Sequence, residues 1–151
     1  MILVTGGAGF IGANFVLDWL FVGDHTSGIR RVLEAGRVGE TYNIGGNNER
    51  SNLQVVHTLC ALLDRLRPDP SGSYQRLIQF VTDRPGHDRR YAIDATKITT
   101  ELGWRPAHPF ESGLEQTVRW YLDHPSWVER ITSGTYRQWM ATHYDAQGRD
   151  A

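Results

Sequence analysis

Residues 1–17 read MILVTGGAGFIGANFVL, and this stretch decides the fold. Residues 2–5 are a short apolar run with the character of a buried strand, and residues 10 to about 20 read as the helix that follows it. Between them Gly6, Gly9 and Gly12 fall in a G-x-x-G-x-x-G spacing. Gly6 permits the tight turn, Gly9 lets backbone approach a pyrophosphate, and Gly12 lets the helix lie close to its strand. The helix N-terminus, with Phe10 and Ile11 beside the glycines, presents free N–H groups and a partial positive charge to phosphates. Placed directly after a strand and opening a helix, the pattern marks a dinucleotide-binding βα unit.

The unit then stops early. An acidic residue that holds the cofactor's ribose belongs about 20 residues past the glycines, at the end of a second strand. Asp24 arrives too soon for a helix, a turn and a strand to intervene, and Glu34 lies inside the helical run IRRVLEAG. Neither fits, so the adenosine half of such a site is incomplete in this chain.

Working outward, Asp24 or Thr26 is placed to cap a helix ending before Gly36, and residues 40–44 (ETYNI) have strand character before Gly45-Gly46. Ser51 and Gln54 form an S-x-x-Q box ahead of Leu53, Val56, Leu59, Cys60, Leu63 and Leu66 at helical spacing. A Pro/Gly/Ser loop covers residues 68–73, and residues 77–81 read as a third strand. Asp94 is placed to cap a short helix stopped by Gly103, with Trp104 and Pro106 beyond. Phe110, Leu114, Val118, Tyr121 and Leu122 make an amphipathic helix ended by Pro125, and a last helix is predicted over residues 127–144. Three strands with so few neighbours leave exposed edges, which predicts marginal folding.

Composition narrows the function classes. The 151 residues are 40% hydrophobic and 22% charged with net charge -1, which gives no electrostatic case for nucleic acid or an acidic membrane. No apolar run approaches the roughly 20 residues of a membrane span, and no basic n-region precedes the first strand, so a cytoplasmic protein is expected. The single cysteine, Cys60, lies in an apolar helical stretch and reads as a buried small hydrophobe. His25, His57, His108, His124 and His143 lack metal-ligand spacing and read as surface or core histidines. Trp104, Trp120, Trp127 and Trp139 read as packing residues of a C-terminal lobe.

ILVTGGAGFIGANFV resembles the start of an extended short-chain dehydrogenase/reductase acting on nucleotide sugars. From Asp18 onward, DWLFVGDH, GETYNIGGNNERSNLQVV, DRPGHDRRYAID, ELGWRP and FESGLEQTVRWYL resemble the C-terminal part of the dTDP-glucose 4,6-dehydratases. The resemblance covers nearly the whole chain in two blocks that are not neighbours in the family, joined near Leu17-Asp18. It implies an α/β fold: a partial Rossmann-like NAD(P)-binding fold with one N-terminal βα unit, residues 1–17. A mostly helical substrate-binding lobe, residues 18–151, follows. It also implies NAD as cofactor, held at Gly6, Gly9, Phe10, Ile11 and Gly12, a dTDP-sugar as ligand, and a homodimeric family.

By the same resemblance Asn52 and Asp83, Arg84, Pro85, Gly86 and His87 match positions that contact the dTDP-sugar, Arg84 offering a guanidinium fork to a diphosphate. The family's arginine before the Asp-Trp pair is Leu17 here, and its acidic residue before Asp24 is Gly23. The family's catalysis uses a Tyr-x-x-x-Lys pair and an adjacent Thr-Asp-Glu set. Lys97 is the sole lysine among sixteen basic residues and Ile93 stands four positions before it; no Thr-Asp-Glu occurs. A phenol made acidic by a neighbouring ammonium is therefore missing. Three functions stay open: a family member inactive alone, a nucleotide-sugar binding remnant, and a subunit completed by a partner.

Overall fold

The computed structural model describes residues 16–80 and 90–134. The strand expected at residues 2–5, the glycine loop, residues 83–87, Trp139 and His143 lie outside them. Contacts divide the chain into two compact units, Met1–Thr117 and Val118–Ala151.

In the first unit a three-stranded sheet of order β2-β1-β3 is built on β1 (Val16–Asp18). β2 (Glu49–Ser51) pairs antiparallel with β1, setting Ser51 opposite Val16 and Glu49 opposite Asp18. β3 (Arg90–Tyr91) pairs parallel on the other side, setting Arg90 opposite Val16. This corrects the helix expected to reach residue 20: residues 16–18 are extended because both their edges are bonded into a sheet. β1 also runs across the join inferred at Leu17-Asp18.

The filled edges of β1 explain a second correction. Residues 40–44 were expected as a strand and are irregular. Their side chains still alternate, Thr41 and Asn43 outward, Tyr42 and Ile44 half-buried, as the period-2 pattern demands. No described strand offers them a ladder, so Tyr42 and Ile44 pack instead on the core of Ala95, Ile98, Leu102 and Trp104.

α1 (Val22–Ala35) starts earlier than its expected caps. Phe21 occupies the N-cap without a side-chain bond, and Asp24 and Thr26 sit inside the helix. Asp24 cannot cap because His108 takes its carboxylate. Gly28 brings α1 onto the core: a Cβ there would lie 2.8 Å from Ile44 and 3.2 Å from Trp104. Trp104 Nε1 donates to Ser27 Oγ at 2.9 Å, and Arg31 Nε donates at 2.7 Å to the carbonyl of Leu102, which ends the helix Thr96–Leu102.

α2 (Asn52–Leu66) begins as predicted, with Ser51 and Gln54 closing a reciprocal capping box. It buries Val55, Val56, Cys60, Leu62 and Leu63. Residues 77–80 are a third correction to the strand expected over residues 77–81, whose last residue lies outside the described ones. A 3-10 turn, Tyr74–Leu77, is nucleated where Asp64 accepts bonds from Ser73 Oγ (2.6 Å) and Tyr74 N–H (2.8 Å), and residues 78–80 join no ladder.

α3 (Thr96–Leu102) follows Asp94, whose Oδ1 accepts the Thr96 N–H at 2.9 Å, although Ala95 holds the N-cap position. Gly103 ends α3 at φ +67°, a left-handed turn that glycine adopts without strain. α4 (Phe110–Asp123) runs through the division between the units.

In the second unit α5 (Pro125–Thr132) opens on Pro125 and gives way at Ser133 and Gly134, the latter at φ +94°, which interrupts the helix expected over residues 127–144; residues 135–144 lie outside the described residues. Trp120 stacks on His124 (4.4 Å between ring centres) and meets Trp127 edge-on at 5.1 Å. Trp120 and Trp127 thus touch each other while staying 42% and 36% exposed. Trp104 belongs to the core of the first unit. No described helix is long and apolar enough to cross a membrane.

Candidate functional site

Of the residues assigned to sugar-nucleotide contact, Asn52 is described. It is the first residue of α2, directly after the strand residue Ser51, and only 1% exposed. Neither its Nδ2 nor its Oδ1 has a hydrogen-bond partner among the described residues. Buried amides are ordinarily paired, because an unpaired one forfeits the bonds water would make.

The other end of β1 is clamped. Asp18 Oδ2 accepts the Gly46 N–H and Oδ1 accepts the Asn48 N–H, both at 2.8 Å, while the Trp19 N–H reaches the Asn48 carbonyl at 3.2 Å. Asn47 between them is left-handed, at φ 48°. Glycine is required at 46, where a Cβ would stand 2.4 Å from the Trp19 carbonyl oxygen. Across the sheet Arg90 grips Glu49 with two bonds of 2.9 and 2.6 Å, and this pairing holds the Glu49 carboxyl below its usual range.

Asp24, which the sequence offered as a helix cap, and His108, which it offered as a surface or core histidine, form a second polar feature. Asp24 is 3% exposed; its Oδ2 accepts the His108 N–H and its Oδ1 meets His108 Nδ1, each at 2.9 Å. Burial pushes the Asp24 carboxyl up, but the bonds from the His108 side chain and from the His108 and Ala107 backbone outweigh it, so the net shift is downward. A carboxylate accepts only, so the Nδ1 position carries the ring proton. His108 in turn lines a cleft of about 730 Å³ between the 46–48 loop, α3 and the 105–111 segment.

Lys97 is committed elsewhere. Its ammonium bonds Glu40, which raises its pKa, and lies 4.9 Å from the centre of the Tyr42 ring, whose hydroxyl donates to Glu101 at 3.0 Å. Cys60 is buried, as expected, and burial raises its thiol pKa. Among the described residues no group of three or more His, Cys, Asp or Glu could hold a metal.

The family model described as GDP-mannose 4,6 dehydratase matches residues 16–117 of the chain. The chain belongs to the GDP-mannose 4,6 dehydratase family. Among curated relatives, the dTDP-glucose 4,6-dehydratase of Xanthomonas campestris pv. campestris (strain ATCC 33913) is 59% identical over 123 residues, which are 81% of this chain and 35% of that protein. Among solved structures, the dTDP-glucose 4,6-dehydratase of Bacillus anthracis in complex with NAD is 44% identical with a TM-score of 0.66, over 82% of this chain and 37% of that one. The Streptomyces venezuelae dTDP-glucose 4,6-dehydratase, solved with NAD and a second ligand bound, is 41% identical with a TM-score of 0.64 over the same shares.

The chain thus spans about a third of the length of the family members it matches. Family membership and the α/β, Rossmann-type fold class agree with the sequence reading. Two features of this GDP-mannose 4,6 dehydratase family chain escaped it: the Asp24–His108 pair, whose members lie 84 residues apart, and the Asp18 clamp. The Gly45-Gly46 dipeptide was the local signal for the clamp.

Proposed function

We propose that this chain carries part of the nucleotide-sugar site of a dTDP-glucose 4,6-dehydratase and does not turn over dTDP-glucose unaided. Asn52 carries the reading: the resemblance assigns it to the dTDP-sugar, and it is buried with both amide atoms unpaired. The companion residues assigned by the same resemblance, Asp83, Arg84, Pro85, Gly86 and His87, lie outside the described residues.

NAD is the cofactor proposed by likeness to relatives solved with it. The glycine stretch that would hold it lies outside the described residues. The catalytic deficit rests on residues: these 151 contain no Tyr-x-x-x-Lys, and their sole lysine is bound to Glu40. General acid–base groups contribute about 10²–10⁴-fold each, so losing them together leaves no measurable dehydration.

Calorimetric titration with dTDP and with NAD, beside an assay of keto-deoxy product from dTDP-glucose, tests this. Saturable heat from dTDP without turnover is the expected result. Absence of dTDP binding overturns the site, and unaided turnover overturns the inactivity. A second reading, a subunit completed by another chain, is favoured by Val22, Ile29 and Leu33. They share one face of α1 and are 68%, 44% and 83% exposed. Co-purification with a nucleotide-sugar enzyme supports it; a chain that stays partnerless opposes it.

A further inference from the structure

The cleft beside His108 holds hydrogen-bond donors that the folded chain leaves unused. Arg50, on one wall, is committed: it lies 3.6 Å from Glu111, donates to the Glu49 carbonyl at 3.1 Å and sits over the Phe110 ring at 5.6 Å. Arg105 is not. Arg105, Asn47 and Thr99 line the cleft, and their side chains have no hydrogen bond or ion pair among the described residues. With Arg50 and Glu111 cancelling, Arg105 leaves the lining with a surplus positive charge. His108 forms a fixed wall, because the buried Asp24 carboxylate holds its Nδ1 at 2.9 Å and its Nε2 stays uncommitted.

An arginine fork with neutral N–H and O–H donors suits a group with several anionic oxygens, and a phosphate offers one more than a carboxylate. A cleft of about 730 Å³ falls within the roughly 300–1,000 Å³ typical of small-ligand sites. We propose that this cleft binds the phosphate group of a small molecule, with Arg105 as the principal contact and Asn47 and Thr99 as supporting donors. Asn52 does not line it, so the site is independent of the one proposed above.

The test is inorganic phosphate titrated into the full chain at constant ionic strength, followed by NMR of backbone amides and arginine Nε–H groups. Saturable shifts centred on Arg105, Thr99 and Asn47 are expected. Arg105→Ala removes an exposed, unpaired side chain and should weaken binding by roughly tenfold or more while the remaining spectrum stays folded. Arg37→Ala, outside the cleft, and Asn52→Leu should leave the isotherm unchanged. Shifts that never saturate, an Arg105→Ala chain that binds as before, or equal weakening by Arg37→Ala overturns the proposal. A loss on Asn52→Leu overturns the independence of the two sites.

Discussion

An asparagine that is 1% exposed with neither amide atom bonded weakens the unliganded fold. Such a group costs about 1–3 kcal/mol, and an apolar residue of similar shape removes that cost. Asn52→Leu should therefore leave the melting temperature unchanged or raised while dTDP affinity falls by roughly tenfold or more. Scanning calorimetry beside titration reads both, and a destabilised variant would show that Asn52 serves packing. Asp24 is the opposite case, buried and fully used. Asp24→Ala strands the His108 N–H and ring nitrogen and should cost about 2 kcal/mol in denaturant unfolding. The folded Asp24 carboxyl lies below its ordinary 3.8, so its contribution is complete above that pH and disappears as pH falls through the folded value. Stability of the parent should drop below about pH 4 more steeply than that of Asp24→Ala. The resemblance singled out Asn52 in sequence, and the structure shows it buried. His108 was not legible there, because a histidine's role is set by its neighbour, here 84 residues away.

Elements written in local chemistry were readable. The Ser51–Gln54 box, the apolar spacing of α2 and the glycine stop of α3 each depend on residues within a few positions, and each stands where expected. Ser51→Ala should cost about 1 kcal/mol, seen as a shifted denaturation midpoint at constant slope. Strands were less legible, since a ladder needs a partner that no local pattern names. Residues 40–44 keep strand alternation without a strand, whereas residues 16–18, read as helix, became the centre of the sheet. The 46–48 loop has its own test. Gly46→Ala forces a methyl to within 2.4 Å of the Trp19 carbonyl oxygen, which should cost about 2 kcal/mol or more and show as a lower melting temperature.

At the scale of the whole molecule, the described sheet is small: β1 aligns three residues with β2 and two with β3. So few ladder contacts predict a melt no higher than about 60 °C, within the ordinary mesophile range; a cooperative transition well above that contradicts it. The family and fold class were legible because whole segments of sequence carry them. Strand pairings were not, because they join segments tens of residues apart. The peptide hydrogens of Gly46 and Asn48 both end on a carboxylate of the central strand. In heavy water they should escape to solvent only when that strand lets go, while the intervening Asn47 trades its proton freely. Two slow deuterium clocks inside an irregular loop would then time the opening of the sheet itself.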